Sequence, residues 1–118
     1  MADKRKLGPK QQAWVDALRS GKFQKAKGAF RMSNCATGHM SYCAMGVATE
    51  VVAEIADKSA WVGNLSIHCI AADQLRPRRS VKEFMGLIFR LNDTDDITFS
   101  QIADYIEENA FDLFMEPA

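Results

Sequence analysis

Cys35, Cys43, Cys69, His39 and His68 are the residues of this chain best suited to nucleophilic or metal chemistry. Cys43 comes first, because "SYCAMGVATEVV" (41–52) places it at the start of an apolar helix. A nucleophilic cysteine needs a thiol pKa lowered by a helix N-terminus or a cation, and usually a histidine base. Position gives Cys43 the first condition, and folding would have to bring His39 or His68 for the second. The competing reading, adopted here, is that Cys43 packs as a small apolar residue at the edge of the helix stripe. A metal set can also be drawn from Cys35-x-x-x-His39-x-x-x-Cys43, with His68 or Cys69 as fourth ligand. Structural zinc sites bring their ligands in close pairs on tight turns, which this spacing does not do. "LNDTDDITFSQI" (91–102) has the acids of a calcium loop. Aligned on Ile97, however, it puts Arg90 at the first ligand position and Gln101 where the bidentate glutamate belongs. No catalytic residue, metal ligand or cofactor is assigned, and the chain is not read as an enzyme.

The surrounding elements follow from periodicity. A length of 118 residues suits one domain, read as 9–118, preceded by a flexible basic arm at 1–8. From Pro9 a helix places Gln11, Trp14, Val15 and Leu18 on one face, with Gly21 just past its end. "KFQKAKGAFRM" (22–32) reads as an exposed strand or an extended stretch anchored by Phe23 and Phe30. "SNCATGH" is a turn, and Met40 and Tyr42 begin a short return strand.

The helix after Ser41, its predicted N-cap, carries an apolar stripe of Ala44, Val47, Ala48, Val51, Val52 and Ile55. Thr49, Glu50 and Glu54 face the other way. Gly46 costs that helix about 1 kcal/mol against alanine, which implies close approach by another element. Leu65, Ile67 and Cys69 alternate with Ser66 and His68 after Gly63-Asn64, the pattern of a hairpin. Two capping boxes, Ser80 to Glu83 and Thr98 to Gln101, open the last helices. The expected fold is helix-rich α+β, with about four helices and a small antiparallel sheet or hairpin. Its expected core is Trp14, Leu18, Val47, Val51, Ile55, Phe84, Ile88, Ile102 and Ile106.

The formal net charge is zero, but residues 1–79 hold 13 Lys/Arg against 6 Asp/Glu, and residues 80–118 hold 2 against 9. The two portions either offer surfaces to partners of opposite sign or attract each other within the fold, and the second reading is adopted. Lys22, Lys25, Lys27, Arg31, Arg76, Arg78 and Arg79 form the candidate nucleic-acid surface. At the other end, Phe111, Phe114 and Met115 leave the apolar stripe beside Glu107 and Glu108. They read either as an apolar contact with an acidic rim, for a partner or a second copy, or as a tail folding back over the core. No stretch approaches the roughly 18 apolar residues of a membrane span. Free thiols without a leader suit a reducing cytoplasm.

The segments "WVDALRSGKFQKAKGAFR" (14–31), "YCAMGV" (42–47), "RLND" (90–93) and "FSQIADYIEEN" (99–109) resemble those of a group of short proteins encoded by tailed phages and prophages. In that group the third element typically reads Tyr-Cys-Cys-Leu-Gly-Val; here Ala44 and Met45 replace the second cysteine and the leucine. The resemblance implies a phage origin and supplies no catalytic residue. The expected function is a small accessory protein in the host cytoplasm that acts by binding a host protein. The alternatives are a nucleic-acid-binding accessory protein and, third, a small enzyme or ligand-sequestering protein.

Overall fold

Glycine and proline begin the first helix. Pro9 occupies its first turn, where a missing N–H costs nothing, and α1 runs Pro9–Arg19 with Gln11, Trp14, Val15 and Leu18 buried, as the spacing predicts. Gly21, at φ +77, takes the left-handed conformation that lets the chain turn away after the helix. The computed structural model describes residues 7–25, 31–33, 40–52, 65–94 and 96–117, with 31–33, 40 and 65–67 described by backbone alone. The arm at 1–6, Lys27, Phe30, Cys35, His39, Ile55 and the Gly63-Asn64 turn lie outside the described residues.

Three short strands follow: β1 (Gln24–Lys25), β2 (Arg31–Ser33) and β3 (Met40–Tyr42). The expected antiparallel pairing exists between β2 and β3. The sheet is nevertheless mixed, because β3 is central and β1 pairs with it in parallel. Phe23 and Tyr42 meet edge-to-face at 5.1 Å, fastening β1 to β3 where the sheet delivers the chain into the next helix.

That helix, α2 (Ala44–Val52), is buried on nearly every side from Ala44 to Thr49. It therefore departs from the amphipathic stripe. Thr49 is fully buried, and Val51, assigned to the core by its spacing, is 37% exposed. A helix enclosed by neighbours has no polar face for its threonine to occupy.

The predicted hairpin strand is a helix, α3 (Leu65–Gln74). Its buried face is His68, Ala71, Ala72 and Leu75, at i, i+3, i+4 and i+7. A histidine and two alanines carry little hydrophobic signal, so five alternating residues outweighed the true period. Next come α4 (Val81–Asp93), α5 (Phe99–Glu108) and α6 (Ala110–Leu113). Both predicted caps form. Thr98 and Gln101 make the full reciprocal box. Ser80 accepts from the Glu83 N–H at 3.2 Å, but its hydroxyl donates back to the Glu83 carboxylate instead of completing the box.

The described residues thus form six helices and three strands, against the expected four helices, and the class remains helix-rich α+β. Trp14, Phe84 and Phe114 stack through the core with successive ring centroids 6.0 Å apart.

Candidate functional site

Of the groups that sequence alone offers for chemistry, Cys43 and His68 are occupied in holding α2. Cys43 immediately precedes the helix; its carbonyl accepts the Val47 N–H at 3.0 Å, and its Sγ lies 3.4 Å from the Gly46 N–H. Cys43, and not the predicted Ser41, therefore occupies the capping position. Asn92, from the last turn of α4, accepts the Ala44 N–H at 3.0 Å and satisfies a second donor of the same helix start. The Trp14 indole donates to the Ala44 carbonyl at 2.9 Å, joining α1 to this point. Thr49 donates to the Met45 carbonyl, and its hydroxyl lies 2.7 Å from Nδ1 of His68, which joins α2 to α3.

Cys43 is 2% exposed, and burial pushes its thiol pKa up despite the N–H that lowers it. That is the opposite of what an attacking thiolate needs. Among the described residues, no three His, Cys, Asp or Glu side chains converge as metal ligands. The Cys35 and His39 half of the drawn set lies outside them.

At the C-terminal end, the sequence expectation for Phe111, Phe114 and Met115 splits. The helix breaks at Asn109 (φ −111, ψ 18), and Phe114 is extended (φ −118, ψ 140). This change of path turns Phe114 fully into the core, so it is not a contact residue, whereas Phe111 and Met115 are 55% and 54% exposed.

The turn is pinned from several sides. Arg78 donates its backbone N–H to the Leu113 carbonyl at 2.8 Å, and Met115 donates to the Arg76 carbonyl at 2.9 Å. The Arg78 guanidinium lies 5.0 Å above the Phe111 ring and donates to the Phe111 carbonyl at 3.1 Å. There it also faces the partly negative carbonyls at the end of α6. Buried Gln11 donates to the carbonyls of Leu75 and Glu116, at 2.8 and 2.9 Å. Sequence reasoning placed Gln11 on the buried face without showing why a polar residue belongs there.

Beside this turn, α4 and α5–α6 enclose an open cleft of about 940 Å³. Arg79, Lys82, Gly86 and Arg90 line the α4 side, Tyr105, Asn109 and Asp112 line the other, and Phe84, Leu87 and Leu113 supply apolar surface between them. Sequence reasoning passed over this cleft, although Lys82, Gly86 and Arg90 stand at i, i+4 and i+8 on one helix row.

The remaining predicted residues fall elsewhere. Glu107 and Asp104 both pair with Arg19 of α1, which supports attraction between the basic and acidic portions of the chain. The two carboxylates, Glu107 foremost, hold the Arg19 guanidinium above its ordinary pKa. Glu108 is exposed. Among the described residues, the predicted basic side chains are spread apart. Gln11 ties the start of α1 to Leu75, whereas Lys22 and Lys25 lie beyond the other end of this helix, about 16 Å long. Arg76 pairs with Glu116 at 3.3 Å, Arg78 is committed to the turn, and Arg79 lines the cleft. The Lys27 and Arg31 side chains are outside the described residues. No helix among the described residues is long and apolar enough to cross a membrane.

Compared with models of known protein families, with curated proteins and with solved structures, the chain finds no match.

Proposed function

We propose that this chain is a small phage-encoded accessory protein that acts in the host cytoplasm by binding a host protein, not by catalysing a reaction. The phage and host parts rest on the sequence resemblance alone. The binding part is carried by one observation: Phe111 and Met115 are more than half exposed on a turn whose backbone is fixed by Arg76, Arg78 and Gln11. A backbone that is already fixed has little conformational freedom left to lose on docking, which favours the apolar side chains it presents as contact anchors. Charged residues, including Arg78, Glu108 and Asp112, supply a polar rim. Phe114 holds the turn from inside.

The test is capture from bacterial lysate on the immobilised protein, against the double variant Phe111→Ser, Met115→Ser. The expected result is a retained protein that the variant loses while melting like the parent. Equal retention by both proteins would refute the assignment of the surface. A second copy of this chain is the other occupant of the same surface, and sedimentation at increasing concentration identifies it.

The nucleic-acid alternative is disfavoured by the distance between its basic groups. It would be revived by oligonucleotide binding that weakens steeply with salt.

A further inference from the structure

The sequence holds six methionines, and the fold treats those with described side chains very differently. Met45 is fully buried in α2, and Met85 is almost fully buried on the inner face of α4. Met115 is more than half exposed, on the same turn as the exposed Phe111. The side chains of Met1, Met32 and Met40 lie outside the described residues. A thioether carries no proton, so access governs its reaction with a peroxide. A thiol must first ionise, and Cys43 is buried with a raised pKa, while Cys69 is half-buried.

The fold also separates the Met115 side chain from what holds its backbone. The Met115 N–H donates to the Arg76 carbonyl at 2.9 Å, and the Glu116 carbonyl accepts from buried Gln11 at 2.9 Å. On the other side, Phe114 is anchored in the core. None of these contacts runs through the thioether, so chemistry at sulfur alters the surface and spares the turn. We propose that Met115 is a reversible oxidation site whose sulfoxide switches the contact surface off while the protein stays folded. This rests on the binding reading of the turn and adds its regulation. In the forward step the sulfur lone pair attacks one oxygen of hydrogen peroxide, the O–O bond breaks and an S–O bond forms. Sulfur gives up two electrons, and the departing hydroxide takes the proton of the transferred oxygen and leaves as water. In the return step two thiols of a reductase become a disulfide, and the sulfoxide oxygen leaves as water. The sulfoxide puts a polar group where the surface had an apolar anchor. Against an apolar partner surface its oxygen loses hydration without a matched donor, which weakens docking.

The test treats the full chain with a series of hydrogen peroxide doses and locates each added oxygen by mass spectrometry. Every sample is then divided between thermal melting and capture from dialysed bacterial lysate. Met115 sulfoxide should accumulate well before sulfoxide at Met45 or Met85, with the melting temperature unchanged. Retention should fall by about tenfold or more at full Met115 oxidation, in step with that sulfoxide. Dithiothreitol reverses disulfides and sulfenic acids at cysteine and should leave the loss in place. Methionine sulfoxide reductases of both epimer specificities should restore retention.

Oxidation of Met45 or Met85 as early as Met115, or a melting temperature that drops with Met115 sulfoxide, would overturn the proposal. So would recovery of retention with dithiothreitol alone. The untreated samples separate this inference from the reading beneath it. Loss with Phe111→Ser, Met115→Ser but full retention by the oxidised parent leaves the binding reading standing and removes the switch. Equal retention by the untreated parent and the double variant removes both.

Discussion

The C-terminal turn makes two phenylalanines three residues apart behave as opposites, and single alanine substitutions should expose the difference. Phe114 is fully buried, with its ring 6.0 Å from that of Phe84, which in turn packs on Trp14. Phe114→Ala would remove the end of this aromatic stack and leave a cavity beneath a backbone held by Arg78 and Gln11, which limits collapse. Substitutions of this kind cost about 3–5 kcal/mol, a large share of the roughly 5–15 kcal/mol that keeps a domain folded. At roughly 3–6 °C per kcal/mol for a chain of this size, the melting temperature should fall by about 10–30 °C.

Phe111→Ala should act differently. Its ring is 55% exposed, and the Arg78 bond to its backbone carbonyl survives the change. The change removes the contact with the guanidinium 5.0 Å away, worth about 0.5–1 kcal/mol at an exposed site. Thermal denaturation followed by circular dichroism measures both variants. Equal shifts, or a Phe114→Ala protein that melts like the parent, would refute the inward turn at the end of α6 and return Phe114 to the surface.

Other residues give equally definite expectations. Gly86→Ala should stabilise the fold by about 0.5–1 kcal/mol in urea denaturation, because it improves helix propensity where a Cβ meets open space. Asn92→Ala leaves the buried Ala44 N–H without its acceptor and should cost about 1–3 kcal/mol, read from the same denaturation curves. Val47→Asp should abolish cooperative melting, whereas Val51→Asp should not, because only Val51 reaches solvent. Cys43 should react slowly with thiol reagents at neutral pH until the protein unfolds. Its folded pKa is raised, so above the unfolded thiol value of about 8.5 the unfolded chain loses a proton that the folded chain keeps. Stability should therefore fall as pH rises through that range, and Cys43→Ala should lose less than the parent in parallel denaturation series.

The sequence by itself determined the elements whose signals are local. Proline in the first turn and glycine after the last fixed α1, and hydroxyl caps fixed the starts of α4 and α5. These depend on residues a few positions apart, so they can be read without knowing the fold. The stripe through Val81, Phe84, Met85 and Ile88 likewise reaches Asn92 at the next step, although only the fold reveals that Asn92 caps α2.

Tertiary structure decided the rest wherever the environment of a residue came from a distant element. Enclosure of α2 by α1, α3 and α4 buried Thr49, gave it His68 as a partner and set the Cys43 thiol in the core, where burial raises its pKa. The same partnership let a histidine occupy the inner face of α3, and so concealed a helix within an apparent strand. The end of α6 at Leu113, with Phe114 extended, separated Phe111 from Phe114, because leaving the helix changes which face the next side chain presents. The cleft was the least legible feature. Its α4 row is written in the sequence as Lys82, Gly86 and Arg90, but its opposite wall exists only once α5 and α6 pack beside it.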